Sequence, residues 1–101
     1  MPSAIVTGAA GGMGQAITRA LGDAGFRVIG VDRSALPEGL AASVVGDVRD
    51  ANVVCKAFDI ALESEDAVFL VANAGITVPG APQTKAAWDE TLDVNLTAPF
   101  L

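Results

Sequence analysis

The sequence predicts an α/β fold, a doubly wound parallel sheet with helices packed on both of its faces. Three features point there. Short β-branched apolar runs alternate with stretches whose apolar residues recur every three or four positions. The runs are continuously apolar, as strands buried on both sides are. Between the first run and the first helical stretch lies TGAAGGMG, residues 7–14, in which four of eight residues are glycine.

Ala4, Ile5 and Val6 form the first strand, ended by the glycines. From Met13 the apolar positions 13, 16, 17, 20, 21 and 24 follow helical spacing, and Gly25 stands where a C-terminal cap is wanted. Residues 28–31 make a second buried strand ended by Asp32. Pro37 and Gly39 mark 34–40 as a loop. Residues 43–46 are a short third strand ended by Asp47. Asp50 is suited to cap a helix running to Glu63, with Val54, Ala57, Phe58 and Ala61 on one face. Residues 67–71 are a fourth strand, followed by Ala72, Asn73, Ala74 and Gly75. After a loop with Pro79, Gly80 and Pro82, Thr84 opens a last helix through Trp88 and Leu92. The expected strand order is 3-2-1-4, with the helices after strands 1 and 3 on opposite faces or in right-handed crossovers. The 101 residues suit one small domain, and no internal repeat interrupts them.

Composition narrows the function. The hydrophobic fraction of 51% argues against disorder. Six basic against twelve acidic residues give a net charge of −6. A general nucleic-acid or anionic-membrane binder needs a basic patch instead, so neither partner is expected. A small anion held by backbone amides is not excluded. The chain has no histidine, which removes a histidine-based triad and a histidine zinc site. Its single cysteine, Cys55, cannot form an intrachain disulfide and reads as a packing residue of the second helix. That, with no signal-peptide pattern at the N-terminus, suggests a cytoplasmic setting. The longest apolar run, 67–72, is far too short to span a bilayer.

The glycines need a reason, because each weakens a helix or strand by roughly 0.5–1 kcal/mol relative to alanine. A strand-to-helix turn in a doubly wound sheet lies at the carboxyl edge, where ligands bind. The helix start offers free N–H groups and partial positive charge to an anion. Glycines let a pyrophosphate reach those amides without meeting a Cβ. A tight turn with no ligand is the plainer alternative.

The strict G-x-G-x-x-G pattern fails, since its third position counted from Gly12 is Ile17. What fits is T-G-x-x-x-G-x-G at Thr7, Gly8, Gly12 and Gly14. The chain thereby resembles the short-chain dehydrogenase/reductase family. The same residues satisfy T-G-x-x-G-x-x-G through Gly8, Gly11 and Gly14, a spacing similar to the family's extended branch. Asn73, Ala74 and Gly75, then Asp47 with Val48, then Trp88 with Asp93, Val94, Asn95 and Leu96, resemble the compact single-domain branch in order. Ala72 departs from the family, which commonly has another asparagine there, and altered local hydrogen bonding is expected.

The resemblance implies a Rossmann-type domain binding NAD, with NADP the less favoured cofactor. It implies cofactor contact at Gly8, Gly11, Gly12, Met13 and Gly14, at Asp32 and Arg33, at Asp47 and Val48, and at Asn73, Ala74 and Gly75. Asp32 lies 18 residues after Gly14, where a carboxylate accepts from ribose hydroxyls and repels a 2′-phosphate. NADP-preferring members often carry a basic residue just before the second motif glycine, and here that position is Gly11. Arg33 is the complication, since it is able to swing toward a phosphate. Asp47 would accept from the adenine amino group, with the Val48 backbone against the ring. Asn73 would hold the ribose on the nicotinamide side. Asn95 is the implied catalytic residue, ordering water in a proton relay, while Trp88 reads as packing. Each has an ordinary reading too. Asp32 is then a solvated strand end, Asp47 a turn residue, 73–75 a simple turn and Asn95 an exposed helix residue.

The resemblance also implies a catalytic serine and a Tyr-x-x-x-Lys, in which tyrosine serves as general acid/base. The chain has no tyrosine, and both lysines, Lys56 and Lys85, precede Asn95. It ends in an apolar run at Pro99, Phe100 and Leu101, where polar residues are commoner. The expectation is an N-terminal part of a longer oxidoreductase, cut before the Ser/Tyr/Lys region. Its substrate would be a small alcohol or carbonyl compound, and the full-length protein would be a homo-oligomer. A non-catalytic NAD-binding or regulatory module is the alternative, and a methyltransferase-like α/β domain a third. General acid/base help typically contributes about 10²–10⁴-fold. The isolated 101 residues should therefore show no NAD-dependent oxidation of secondary alcohols, and should be poorly soluble or oligomeric because the fourth strand is left as an edge. The reading frame beyond Leu101 should contain the Tyr-x-x-x-Lys. A soluble, monomeric, active 101-residue protein would overturn the expectation.

Overall fold

The computed structural model describes residues 1–63, 68–75, 85–92 and 94–95. In chain order the elements are β1 (Ser3–Thr7), α1 (Gly12–Asp23), β2 (Arg27–Asp32), β3 (Ala42–Val45), α2 (Ala51–Ala61), β4 (Val68–Val71) and α3 (Lys85–Leu92). The four strands form one sheet in the order β3-β2-β1-β4, with every pairing parallel. This is the doubly wound order expected. Ile5 stands opposite Ile29 on one side and Leu70 on the other, and Val31 stands opposite Val44.

Alternation along the strands divides the core in two. Ile5, Ile29, Val31 and Val44 face α2, where Ala57 and Ala61 close the layer. Val6 and Val28 face the other way, against Ala9 and the α1 residues Ile17 and Leu21. The two helices thus lie on opposite faces. β1 is sandwiched between them, which is why Ala4, Ile5 and Val6 are all buried. A central parallel strand has no solvent face, so it reads as an unbroken apolar run.

The observed ends differ from the apolar runs because hydrogen bonding, not hydropathy, sets them. β1 gains Ser3 and Thr7, and β2 gains Arg27 and Asp32. β3 begins and ends one residue earlier than expected, and α2 stops at Ala61 instead of reaching Glu63. Asp50 does cap α2, its side chain accepting from the Asn52 amide at 2.9 Å. Arg27 latches the amino edge of the sheet. It donates to the Ser3 hydroxyl at 3.1 Å and to the Ile60 carbonyl at 3.2 Å, a cation against the C-terminus of α2.

Cys55 is a correction. It is exposed, not packed. The buried side of α2 centres on Ala57, and a residue two positions away points about 200° round the helix. The packing expected of Trp88 lies outside the described side chains. Thr84, Asp93, Leu96 and the loop with Pro79, Gly80 and Pro82 lie outside the described residues. Among the described residues no helix is long and apolar enough to cross a membrane.

Ile29 is wholly buried in the α2-facing layer, whereas Val45 on the edge strand is 62% exposed. In the folded protein Ile29→Ala should cost about 2–5 kcal/mol, as large-to-small core changes do. Val45→Ala should fall within about 0.5 kcal/mol of the parent. Urea midpoints of the two variants check the difference.

Candidate functional site

The carboxyl edge of the sheet is held together by Thr7. Its hydroxyl accepts from the backbone amides of Asn73 and Ala74, both at 3.0 Å, and donates to the Val71 carbonyl at 3.4 Å. The end of β1 is thereby tied to the segment leaving β4. Gly8 follows directly, at φ +68. A Cβ there would stand 2.9 Å from the Ala74 Cα, so glycine is required both by conformation and by space. The Asn73 side-chain amide closes the junction, donating to the Gly8 carbonyl at 3.3 Å.

The chain then folds back on itself. A Cβ on Gly14 would collide with the Gly8 carbonyl oxygen, so α1 begins in contact with the turn that leads into it. The N-cap is Gly11, and no side chain caps the helix. Gly11, Gly12 and Met13 are exposed, and nothing lies within 4 Å of where a Gly12 Cβ would be. A helix start lacks intrahelical partners for its first N–H groups. α2 supplies one with Asp50; α1 has only backbone there, open to the outside.

Asp32, the last residue of β2, supports this turn. One carboxylate oxygen accepts from the Ala10 amide at 3.0 Å and the other from the Ser34 amide at 2.9 Å. It is therefore more than a solvated strand end. A carboxylate offers about four acceptor positions, so roughly two remain.

Asp47 is engaged differently. Arg49 reaches back to it, with Nε 3.1 Å from each oxygen and Nη2 2.6 Å from Oδ2. The Arg49 amide also donates to Oδ1 at 2.9 Å. Arg33 stands farther off, its Nε 3.9 Å from Oδ2. The Arg49 side-chain hydrogen bonds hold the Asp47 carboxyl well below its ordinary value, at about 2. Partial burial opposes this, while the Arg49 amide and the charges of Arg49 and Arg33 add to it.

These residues meet in one hollow of about 100 Å³, lined by Gly8, Asp32, Arg33, Gly46, Asp47, Val48, Ala74, Gly75 and Val94. Asn95 is adjacent, its amide oxygen 3.2 Å from where a Gly75 Cβ would stand. A larger hollow of about 360 Å³ lies between α1 and the loop after β2, and is lined by none of the candidate site residues. Sequence reasoning missed the tie made by the Thr7 hydroxyl, the hold of Arg49 on Asp47, and Val94 in the lining. Thr7 had a signal, as the first residue of the glycine motif; Arg49 had only its proximity to Asp47.

The geometry suits a dinucleotide. A backbone-only surface opens at a helix N-terminus, beside a carboxylate with spare acceptors. Comparison with known proteins agrees. Residues 2–101 match the short chain dehydrogenase family. D-threitol dehydrogenase of Mycolicibacterium smegmatis is 38% identical over 112 aligned positions, covering 97% of this chain and 43% of that protein. A 3-ketoacyl-(acyl-carrier-protein) reductase of Brucella melitensis, solved with NADH, superimposes with a TM-score of 0.84 at 28% identity, over 99% of this chain and 46% of that one. A metagenomic short-chain oxidoreductase, solved with NADP, gives 0.79 at 32% identity, over 98% of this chain and 52% of that one. The chain spans less than half the length of the curated relatives it matches.

The Asp47 pair predicts an acid effect of definite sign. The carboxyl is held at about 2 in the folded state, against 3.8 for a free aspartate side chain. Its contribution is fully present above about pH 4 and is lost as pH falls through about 2. Urea midpoints of the native protein and of Asp47→Asn should differ most at pH 5 and converge near pH 2. A constant gap across that range would contradict the pairing. From its glycine turn, its sheet order and its sequence match, the chain belongs to the short chain dehydrogenase family.

Proposed function

We propose that residues 1–101 hold the cofactor of an NAD-dependent oxidoreductase acting on a small alcohol or carbonyl compound. The observation that carries this is the start of α1, capped by no side chain and opening beside Asp32 and the 73–75 segment at the carboxyl edge. When bound, the nicotinamide accepts or supplies a hydride. Gly12, Met13 and Gly14 offer backbone amides to the pyrophosphate, Gly11 holds the turn with its own amide on the Gly8 carbonyl at 3.2 Å, and Gly8 keeps the approach low. The free acceptor positions of Asp32 take ribose hydroxyls. Asp47 and the Val48 backbone meet the adenine. Asn73, Ala74 and Gly75 border the nicotinamide ribose, and Asn95 orders water beside them.

NAD is favoured over NADP for two reasons. The Asp32 charge repels a 2′-phosphate, and Gly11 provides no cation for one. Arg33, exposed and reaching toward Asp47, is the group that would favour NADP instead. The family relatives include structures with either dinucleotide. The likeness to a D-threitol dehydrogenase favours a small hydroxylated substrate.

The tyrosine through which the family transfers the proton at the substrate oxygen is not among these 101 residues, which hold neither tyrosine nor histidine. The reading is therefore that 1–101 is the N-terminal part of the dinucleotide-binding domain, with serine, tyrosine and lysine supplied by following sequence. A homo-oligomer in the cytoplasm completes the proposal. The same lack of a tyrosine favours a second reading, a non-catalytic NAD-binding module.

Asp32→Ala and Asp32→Asn, made in the full-length protein, test the cofactor assignment. Hydrogen bonds to charged groups contribute roughly 1.5–3 kcal/mol, so NAD binding should weaken about 10- to 100-fold. NADP binding should change less, narrowing the preference. Equal losses for both would show that Asp32 does not read the 2′ position. Dinucleotide binding without turnover on a panel of alcohols would select the non-catalytic reading.

A further inference from the structure

We propose that Arg49 is a positioning residue that makes Asp47 an acceptor for a single donor, and so makes the site discriminate a 6-amino purine from a 6-oxo purine. This rests on the proposed dinucleotide function and goes beyond it, since it assigns recognition of the base to a residue outside the hollow's lining.

Oδ1 of Asp47 receives the Arg49 amide at 2.9 Å and Oδ2 receives Nη2 at 2.6 Å. The single Nε proton is shared, 3.1 Å from each oxygen. Three Arg49 protons thus occupy three of the carboxylate's roughly four acceptor positions, and one remains. Arg33 does not use it, because 3.9 Å is beyond hydrogen-bond distance. Asp47 lines the hollow together with Gly8, Gly46 and Val48. A carboxylate clamped through a planar guanidinium fork cannot rotate without breaking two parallel contacts. Being ionised, it has no proton to donate. It therefore rewards an amino group and repels a carbonyl oxygen at the same place. Without Arg49, the carboxylate would be free to turn toward the Arg33 guanidinium, and its acceptor would no longer be aimed.

The test compares NAD with nicotinamide hypoxanthine dinucleotide, which has an oxo group in place of the 6-amino group. Dissociation constants are measured by calorimetry on the full-length protein. The native protein should bind NAD at least tenfold more tightly than the hypoxanthine analogue. Arg49→Leu should weaken NAD binding while leaving the analogue nearly unchanged, reducing the ratio below about threefold. Arg49→Lys, which keeps the charge but not the fork, should give an intermediate ratio. An Arg49 that served only to hold the loop would weaken both dinucleotides equally, and an unchanged ratio in Arg49→Leu overturns the proposal. A native protein that binds both dinucleotides alike also overturns it, with the NAD assignment intact. Failure of the native protein to bind either one sinks the dinucleotide function itself.

Discussion

The Thr7 hydroxyl joins two parts of the chain 66 and 67 residues apart, and the carboxyl edge of the sheet is arranged around that junction. One oxygen takes two amides and gives its proton to a carbonyl, so its capacity is used completely. Each such bond contributes about 1 kcal/mol net, but leaving the Ala74 amide unpaired would cost more, whereas the Asn73 amide also has the Val71 carbonyl at 3.0 Å. The tie sets how closely β4's exit approaches Gly8. That approach in turn demands a residue without a Cβ, at a positive φ, and brings the Asn73 side chain onto the Gly8 carbonyl. Threonine, glycine and asparagine at these positions are thus one constraint, not three. A bulkier residue at Gly8 would part β1 from β4 at the edge where the candidate site lies.

The two carboxylates at that edge are both committed to protein groups, with different consequences. Asp32 binds neutral amides from the turn and from its own loop, and stays a charged group facing the start of α1. Asp47 binds a guanidinium, which offsets its charge and fixes its plane. The first arrangement repels a further phosphate near the end of β2. The second presents an oriented acceptor with little net field. Groups fixed in advance lose less freedom when a ligand arrives, which favours binding without adding any contact.

Much of this was legible in the sequence, for a physical reason. In a doubly wound sheet the central strands have no wet face, so Ala4, Ile5 and Val6 announce themselves by hydropathy alone. Helical spacing identified α1 and α2, and the Asp50 cap was readable because capping is local. The glycine turn with Asp32, Asp47 and Asn73 could be assigned to one edge because parallel strands all end on the same side. What hydropathy does not carry is pairing. Ser3 and Arg27 joined their strands through polar contacts, and Thr7 found partners from β4. Cys55 was misjudged because α2 buries a narrow stripe centred on Ala57, and a residue only two positions away faces outward. The Arg49 fork depends on a backbone path after β3 that no spacing rule encodes.

An overall charge of −6 looks ill suited to a phosphate-bearing ligand, yet the local electrostatics differ from the total. Fields from scattered surface carboxylates are screened over about 8–10 Å at ordinary ionic strength. The amides at the start of α1 act within hydrogen-bond distance and fall off within the first turn, so they govern the immediate surface. Of the acids facing the hollow, Asp47 is neutralised by Arg49 and Asp32 is turned toward the Ala10 amide. Both acids are thus engaged by N–H groups of the protein, so the overall charge does not describe the local surface at the start of α1.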